Sequence, residues 1–286
     1  MHKREMLRLL DRPGGRWALQ AFTNALARRQ LRPKAASVFW DGQMWLHRYD
    51  RDFFPDCTYY NYSINSASAW PTQKCKCEQT SEYFWFLLYR PKPGDVIVDI
   101  GAGRGEDAFA FSSAVGPTGR VLAVEAHPET FLYLRKTCEY NRFDNVRALN
   151  LAVSDAPGEV FIGTQDNWLA NAITSIDSAG SYKVSAETLD NLFDREGFAQ
   201  VDFLKMNIEG AETAALRGLE RWRSRVRSAC IACHDFLADS GGGDQLRTRA
   251  GVAAALKDMG FNLAFRDEAA EPWVRNHVYG VRIDLV

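Results

Sequence analysis

The sequence predicts an α/β fold in which helices cover both faces of a doubly wound, mostly parallel sheet. From Pro93 onward, apolar runs typical of buried strands alternate with segments typical of helices. A glycine-rich turn joins the first of these strands to the first helix. The 286 residues are 46% hydrophobic, so the chain can form a full core.

Charge and hydropathy exclude several classes of protein. The 35 basic and 36 acidic residues give a net charge of −1, which argues against nucleic-acid binding by bulk charge. No run approaches the roughly 20 apolar residues of a membrane-spanning helix. The basic N-terminus lacks the apolar core of a signal peptide. We therefore expect a soluble, cytoplasmic protein with six reduced cysteines.

Residues 1–80 are predicted to form an extension that precedes a main domain over residues 81–286. Residues 1–34 contain nine basic and two acidic residues and predict two short amphipathic helices, broken at Pro13-Gly14-Gly15. Their basic surface indicates either contact with an anionic membrane or acidic partner, or a helical cap docked on the main domain, which we favour. Residues 38–86 are rich in aromatics without a regular period, as in an irregular subdomain or a pocket wall.

The sequence of the main domain predicts alternating strands and helices. The predicted strands are residues 95–101, 120–127, 145–154, 201–207, 228–234, 261–265 and 278–285. The predicted helices are residues 105–115, 128–141, 210–219 and 245–260. Because only a polar, turn-rich stretch separates the last two strands, we expect them to form an antiparallel hairpin at the sheet edge.

A glycine loop follows the first strand of the main domain and reads Asp99-Ile-Gly101-Ala-Gly103-Arg-Gly105-Glu106. Glycines allow a tight turn and the close approach of a ligand to the backbone. The next strand ends at Glu125, about 20 residues further on, where a carboxylate can accept hydrogen bonds from ribose hydroxyls. Together these features predict a nucleoside cofactor at the carboxyl edge of the sheet.

Acidic residues at the loop favour one nucleoside over another. A dinucleotide fingerprint has a third glycine where this chain has Glu106, whose charge would repel a pyrophosphate, and Asp99 adds a second negative charge. S-adenosylmethionine, which has no phosphate and a cationic sulfonium, suits this environment better than NAD. An NAD-dependent oxidoreductase remains the weaker reading.

Several segments of the main domain resemble the FkbM family of class I S-adenosylmethionine-dependent methyltransferases. They are VIVDIGAGRGEDAFAF (96–111), LAVSD (151–155), ETLDNLF (187–193) and LKMNIEGAETAALRGL (204–219). The resemblance implies a seven-stranded Rossmann-like sheet in the order 3-2-1-4-5-7-6, and O-methylation of a hydroxyl on a sugar or natural product. Asn207 stands where the family usually has aspartate. A catalytically silent binding module and an N-methyltransferase are therefore kept as alternatives.

The resemblance also implies positions that bind the cofactor, with S-adenosylhomocysteine as the product. The loop of Gly101, Ala102, Gly103 and Gly105 would hold the methionine part, and Glu125 would hold the ribose. Asp99, Ala126 and Asn207 are further cofactor-binding positions. Ala152 and Val153 would border the adenine, with Asp155 just beyond. Glu82 could reach the amino group of the cofactor.

The ends of the fourth and fifth strands carry the candidate catalytic residues Lys205, Asn207, Glu209 and His234. His234 is the predicted base, because its ordinary pKa suits proton removal near neutrality, and Glu209 or Asp235 would orient it. Each of these residues also has a non-catalytic alternative. His234 could be structural, Glu209 could cap the following helix, and Lys205 could be solvated or paired with Glu209. Lys205 and Asn207 are poor Mg²⁺ ligands, so we predict a metal-independent enzyme.

The acceptor pocket is predicted from loop residues. The polar loop at residues 163–184, with Trp168, would line it together with Tyr59–Tyr62 and Trp70. Its aromatic faces suit a small-molecule acceptor such as a sugar ring, and a homo-oligomer is compatible with the aromatic extension. Zinc binding by Cys230 and Cys233 is disfavoured, since alternation along a strand puts them on opposite faces.

Overall fold

The computed structural model describes residues 9–30, 36–56, 77–163, 173–174 and 181–282. The strands are β1 (Ala36–Trp40), β2 (Trp45–Tyr49), β3 (Asp52–Asp56), β4 (Val96–Ile100), β5 (Arg120–Glu125), β6 (Val146–Asn150), β7 (Ala152–Val153), β8 (Gly158–Ile162), β9 (Ile173–Thr174), β10 (Tyr182–Glu187), β11 (Val201–Met206), β12 (Val226–Ala232), β13 (Asn262–Ala264) and β14 (His277–Val281). The α-helices are α1 (Arg16–Gln30), α2 (Ala108–Val115), α3 (Pro128–Asn141), α4 (Leu189–Glu196), α5 (Glu212–Arg217), α6 (Asp235–Leu237), α7 (Arg249–Asp258) and α8 (Pro272–Arg275). Short 3₁₀ or π turns span Ser81–Trp85, Arg223–Arg225, Ala238–Gly242 and Asp244–Leu246.

The main sheet has seven strands among the described residues, in the order β13-β14-β12-β11-β4-β5-β6. Numbered one to seven along the chain and read from β6, this order is 3-2-1-4-5-7-6, as predicted. The five strands β6, β5, β4, β11 and β12, which are neighbours in this order, run parallel. Strand β14 runs antiparallel to both of its neighbours, β12 and β13. The predicted fold class and the antiparallel edge pair are confirmed.

Apolar side chains cover both faces of the sheet. One cluster joins Leu204 and Ile231 to α4, α5 and α7, and the other joins Phe203 and Cys230 to α2. Every residue of β11 is buried, which explains why its sequence shows no polar alternation. Cys230 and Cys233 belong to different clusters, so the predicted separation of the two thiols is observed.

The N-terminal extension differs from the prediction of a helical, irregular segment. Helix α1 is present after the break at residues 13–15, but β1, β2 and β3 form a three-stranded antiparallel sheet beside it. Four of the five residues of central strand β2 are buried, so the sequence carries no alternating pattern there. The side chain of Asn141 in α3 bonds both the N–H and the carbonyl of Phe53, at 2.8 Å each, which fixes this sheet to the main domain.

The structure differs from two further predictions, both for residues 145–184. Residues 145–154, expected to form one strand, are split into β6 in the main sheet and β7 in a small sheet of order β7-β10-β8-β9. The expected loop at residues 163–184 contains β9 and the start of β10. The predicted acceptor-pocket residues Tyr59–Tyr62, Trp70 and Trp168 lie outside the described residues. In the part of the chain that is described, no helix is long and apolar enough to cross a membrane.

Candidate active site

A cleft opens where β4, β5, β7 and β11 end. The predicted site residues that line it are Gly101, Gly103, Glu125, Ala126, Ala152, Val153, Asn207 and Glu209. The structure thus brings together the glycine loop, the predicted ribose and adenine positions and part of the catalytic set. No described residue in the lining is lysine or arginine.

The glycine loop approaches β11 so closely that Gly101 has no room for a side chain. A Cβ at this position would lie 2.0 Å from the carbonyl oxygen of Asn207, and the φ angle is +76°. Gly103 also has a positive φ, and its N–H donates to Glu125 Oε2 at 2.9 Å. Gly105 faces the other way, because a Cβ there would meet Leu134 and Thr137 of α3. The three glycines therefore serve two purposes, an open cleft and a tight loop–helix contact.

Two backbone N–H groups fix the carboxylate of Glu125 in the cleft. Gly103 N–H donates to Oε2 and His127 N–H donates to Oε1, each at 2.9 Å. Burial raises the pKa of Glu125 to about 7, against the opposing effect of these two hydrogen bonds. Each oxygen keeps acceptor capacity for a ligand hydroxyl.

Lys205 is fully buried beneath the glycine loop. It is therefore not solvated, and its partners are residues other than Glu209. Its Nζ lies 2.7 Å from Asp99 Oδ1 and 3.6 Å from Asp107 Oδ2, and donates to the Gly101 carbonyl at 2.9 Å. Burial raises the pKa of Asp99 to about 6 despite Lys205, while burial of Lys205 is outweighed by the two aspartates, which raise its pKa. Lys205 therefore contacts the loop from below and does not line the cleft.

His234 lies between two carboxylates behind the cleft. Its Nε2 is 3.2 Å from Glu209 Oε1 and its Nδ1 is 3.1 Å from Glu212 Oε1. Burial alone would lower the pKa of His234, but the hydrogen bonds to Glu209 and Glu212 raise it to about 9. The ring is therefore protonated at neutral pH, and a protonated ring cannot accept a proton. This environment favours a positioning role for His234 over the basic role that the sequence suggested.

Glu209 reaches the cleft from a turn with left-handed backbone geometry. Its φ is +51°, which is uncommon for a residue other than glycine. The next residue, Gly210, has its N–H bonded to both oxygens of Glu212, at 3.2 and 3.1 Å. Glu212 was not among the predicted site residues, although it belongs to the Glu-Gly-Ala-Glu segment that carries the family resemblance.

The remaining predicted residues lie away from the cleft or face away from it. Glu82 is exposed and pairs with Arg90, and Asp155 is exposed and pairs with Arg217. Asp235 accepts the N–H groups of Thr248 and Arg249 at 3.0 Å each, so it caps α7 and does not orient His234. Ala102 and Asp99 are buried beside the loop.

Glu106 does not line the cleft, so the electrostatic argument that was based on its charge is not supported. The acidic groups that do line it are Glu125 and Glu209. A cleft with two carboxylates and no described cation still disfavours a pyrophosphate and suits a cationic ligand.

The polar groups of the cleft fit a nucleoside. His127 lines it, and His127 Nδ1 accepts the N–H of Thr130 at 3.4 Å, which leaves Nε2 as the protonated nitrogen of the neutral ring. Burial lowers the pKa of His127, and its Nε2 is buried without a hydrogen-bond partner among the described residues. The wall from Leu151 to Val153 is apolar, as a purine requires. No group of three or more potential metal ligands occurs among the residues described.

A family model for the methyltransferase FkbM domain matches residues 99–263, more than half of the chain. The chain belongs to this family. Membership confirms the resemblance to S-adenosylmethionine-dependent methyltransferases that the sequence motifs indicated. The match begins at Asp99, directly before the glycine loop, and includes the cleft residues from Gly101 to Glu209.

Two curated relatives match a short part of this chain. A protein-L-isoaspartate O-methyltransferase of Aeropyrum pernix is 39% identical over 59 residues, 21% of this chain and 23% of the relative. An arsenite methyltransferase of Halobacterium salinarum is 37% identical over 54 residues, 19% of this chain and 14% of the relative. The chain thus matches less than a quarter of the length of these two relatives.

Two solved structures are similar to this chain in outline. One is a methyltransferase FkbM from Methylobacillus flagellatus, with 16% identity, a TM-score of 0.47, and coverage of 90% of this chain and 57% of that chain. The other is Aeropyrum pernix fibrillarin in complex with S-adenosyl-L-methionine, with 17% identity, a TM-score of 0.42, and coverage of 73% and 74%.

Proposed function

We propose that this chain transfers a methyl group from S-adenosylmethionine to a hydroxyl of a small molecule, a sugar or a natural product. The observation that carries the proposal is the carboxylate of Glu125. Two backbone N–H groups hold it in a cleft that has no lysine or arginine among its described lining residues. A fixed carboxylate accepts two ribose hydroxyls, and the absence of cations disfavours a phosphorylated nucleotide.

Different residues of the cleft would contact the ribose, the adenine and the methionine part of the cofactor. Glu125 would accept the ribose hydroxyls, and His127 could donate from Nε2 beside it. The apolar wall formed by Leu151, Ala152 and Val153 would border the adenine. The backbone around Gly101 would contact the methionine part, and Lys205 supports it by holding the Gly101 carbonyl.

Catalysis requires an aligned hydroxyl, a place for its proton and the exclusion of water. The cofactor supplies an activated methyl group when it is bound. In this proposal Glu209, the second carboxylate that lines the cleft, accepts the hydrogen bond of the acceptor hydroxyl. His234, protonated and held by Glu212, lies 3.2 Å from Glu209 through Nε2 and orients it. The proposed base is thus Glu209, with His234 as its positioning residue.

Calorimetry on the Glu125→Gln variant tests cofactor binding. The wild type is expected to bind S-adenosylmethionine and S-adenosylhomocysteine but not NAD, and the variant to bind both at least about tenfold more weakly, because a charged acceptor is lost. Since the pKa of Glu125 is about 7, wild-type affinity should rise about tenfold from pH 6 to pH 8 as the carboxyl ionises.

The variant itself controls for ionisation of the ligand, because its affinity should show a much smaller pH dependence. A second control is Glu159→Gln, which removes an exposed pair with Lys183 outside the cleft and should bind like the wild type. Binding of NAD by the wild type, with no binding of S-adenosylmethionine, would contradict the proposed cofactor.

Methyl transfer to hydroxyl acceptors tests the reaction. Radiolabelled methyl from the cofactor should appear in a methyl ether, identified by mass spectrometry, when sugars and polyketide-like alcohols are offered. Glu209→Gln should lower kcat by about 10²–10⁴ and weaken cofactor binding much less than Glu125→Gln does, since it removes the proton acceptor but keeps the hydrogen bonds of Glu125. Transfer to an amine alone would identify an N-methyltransferase instead.

A silent cofactor-binding module is the second candidate, favoured by one observation. Asn207 lines the cleft where the family usually has aspartate. If the wild type binds the cofactor without turnover while Asn207→Asp gains turnover with the same acceptors, the chain is such a module.

A further inference from the structure

The outer face of helix α1 exposes aromatic and basic side chains. This α1 outer face consists of Trp17, Ala21, Phe22, Ala25, Arg28 and Arg29, all exposed. Trp17 is 73% exposed and Phe22 is 63% exposed, the largest values among the exposed apolar side chains of the described residues. At 100° per residue, these six positions lie within an arc of about 140° on the helix.

Two polar side chains of α1, Gln20 and Asn24, lie beside this face and bond the backbone of β1. Gln20 accepts the N–H of Trp40 at 3.1 Å, and Asn24 accepts the N–H of Val38 at 2.6 Å and donates to its carbonyl at 3.0 Å. Turning the helix to bury Trp17 and Phe22 would break these three hydrogen bonds. The contact with β1, together with the burial of Leu19 and Thr23 on the inner side of the helix, therefore holds the α1 outer face outward.

Charge identifies the kind of surface that this face fits. Helix α1 contains no aspartate or glutamate, and Arg28 and Arg29 lie in its last turn. Residues 1–34 hold nine of the basic residues and two acidic ones, whereas the whole chain has a net charge of −1. Exposed tryptophan and phenylalanine beside arginine is the combination that lies in the headgroup region of an anionic bilayer.

We propose that the α1 outer face attaches the protein reversibly to an anionic lipid surface. The aromatic rings enter the boundary between headgroups and acyl chains, and the arginines pair with lipid phosphates and carboxylates at the same depth. The face belongs to α1 and not to the cleft, so this attachment is independent of the proposed methyl transfer.

Co-sedimentation of the full chain with vesicles tests the proposal. The wild type should bind vesicles of equal parts phosphatidylcholine and phosphatidylserine, bind phosphatidylcholine alone much more weakly, and dissociate as salt is raised. Trp17→Ser/Phe22→Ser should weaken binding at least about tenfold. Arg28→Gln/Arg29→Gln should weaken it about fivefold for each charge removed.

The matched control is Trp273→Ser, which removes another exposed tryptophan, 48% exposed, on α8. It should bind anionic vesicles like the wild type, and circular dichroism should show all variants folded. The proposal is overturned if the wild type ignores anionic vesicles, or if both double variants bind as it does. It is also overturned if light scattering shows a dimer that Trp17→Ser/Phe22→Ser converts to monomer without changing vesicle binding, since a second copy would then cover the face.

Discussion

The ammonium group of Lys205 is buried where no water can replace a lost partner. It faces two aspartates and the Gly101 carbonyl, and the ring of Trp85 lies 5.1 Å from Nζ. Trp85 also donates to Asp107 at 2.9 Å, so the aspartate that follows the glycine loop is held from two sides. A buried charge of this kind is expensive to leave unpaired, and the loop conformation depends on it.

Lys205→Met should therefore destabilise the fold by about 3–5 kcal/mol, because Asp99 would remain buried, and Asp107 partly buried, without their cation. The loss should be larger at pH 8 than at pH 5, since Asp99 can take up a proton at the lower pH. Urea unfolding at both pH values measures it. The double variant Lys205→Met/Asp99→Asn should lose less than the sum of the single changes, and a Lys205→Met protein as stable as the wild type at pH 8 would contradict this account.

His234 makes stability depend on pH on the alkaline side. Its pKa in the folded chain is about 9, above the ordinary value of 6.5, so the stabilisation is complete below about pH 6.5 and lost as pH rises through 9. The difference corresponds to about 3 kcal/mol. The free energy of unfolding should fall by this order between pH 6.5 and 10 in the wild type, and much less in His234→Gln; parallel curves for the two proteins would show that the ring is not held as a cation.

The sequence predicts the local contacts of the site but not the contacts between residues that are far apart in the chain. Gly101, Gly103 and Glu125 were predicted from spacing alone, because the loop and the next strand are local and their geometry is fixed by the βαβ unit. The partners of Lys205 could not be predicted in the same way, since Gly101 is 104 positions away and only the pairing of β4 with β11 brings them together.

At the scale of elements, the accuracy of prediction depends on burial. Strands β4, β5 and β11 are covered on both faces and were found within one or two residues of their ends, because continuous apolar runs identify such strands. Strand β2 was missed, since its burial is almost uniform but its sequence mixes Trp45, His47 and Arg48. Residues 145–154 give one apolar pattern, and nothing in it marks the change from one sheet to another at Leu151.

Gly101, in the turn after β4, lies against Asn207 at the end of β11, and this contact predicts the effect of a substitution. Gly101→Ala should lower the free energy of unfolding by about 2–4 kcal/mol and abolish cofactor binding, because its φ is +76° and its Cβ would collide with the Asn207 carbonyl. Thermal and urea unfolding measure the change. Gly158→Ala in β8 is the control: no atom lies within 4 Å of the added Cβ, so stability should change by less than about 1 kcal/mol.

At the scale of the whole molecule, polar and aromatic contacts join the N-terminal sheet to the main domain. Asn141 bonds the backbone of Phe53, Lys136 pairs with the buried carboxylate of Asp41 at 2.8 Å, and Phe54 stacks on Phe109 with ring centroids 5.0 Å apart. All three contacts involve one short stretch of surface on α2 and α3. Interfaces of this kind open before the core does.

Asn141→Ala should loosen this junction selectively. Loss of the two hydrogen bonds to Phe53 is expected to cost about 1–3 kcal/mol. Hydrogen exchange should then speed up in β1–β3 while amides of the main sheet keep their protection. Arg135→Ala, which removes an exposed pair with Glu139 on the same helix, should leave both regions unchanged; equal acceleration in the main sheet would mean that the two parts unfold as one unit.

The position of β14 between β12 and β13 sets an order of events during synthesis. In the described sheet β13 pairs with β14 alone, so residues 262–264 have no strand to join until residues 277–281 have left the ribosome. The five parallel strands can assemble earlier, as they precede both in the chain. A nascent chain that stalls after Ala264 would thus carry a nearly complete cleft beside an unfinished border, exposed to chaperones until the final strand inserts.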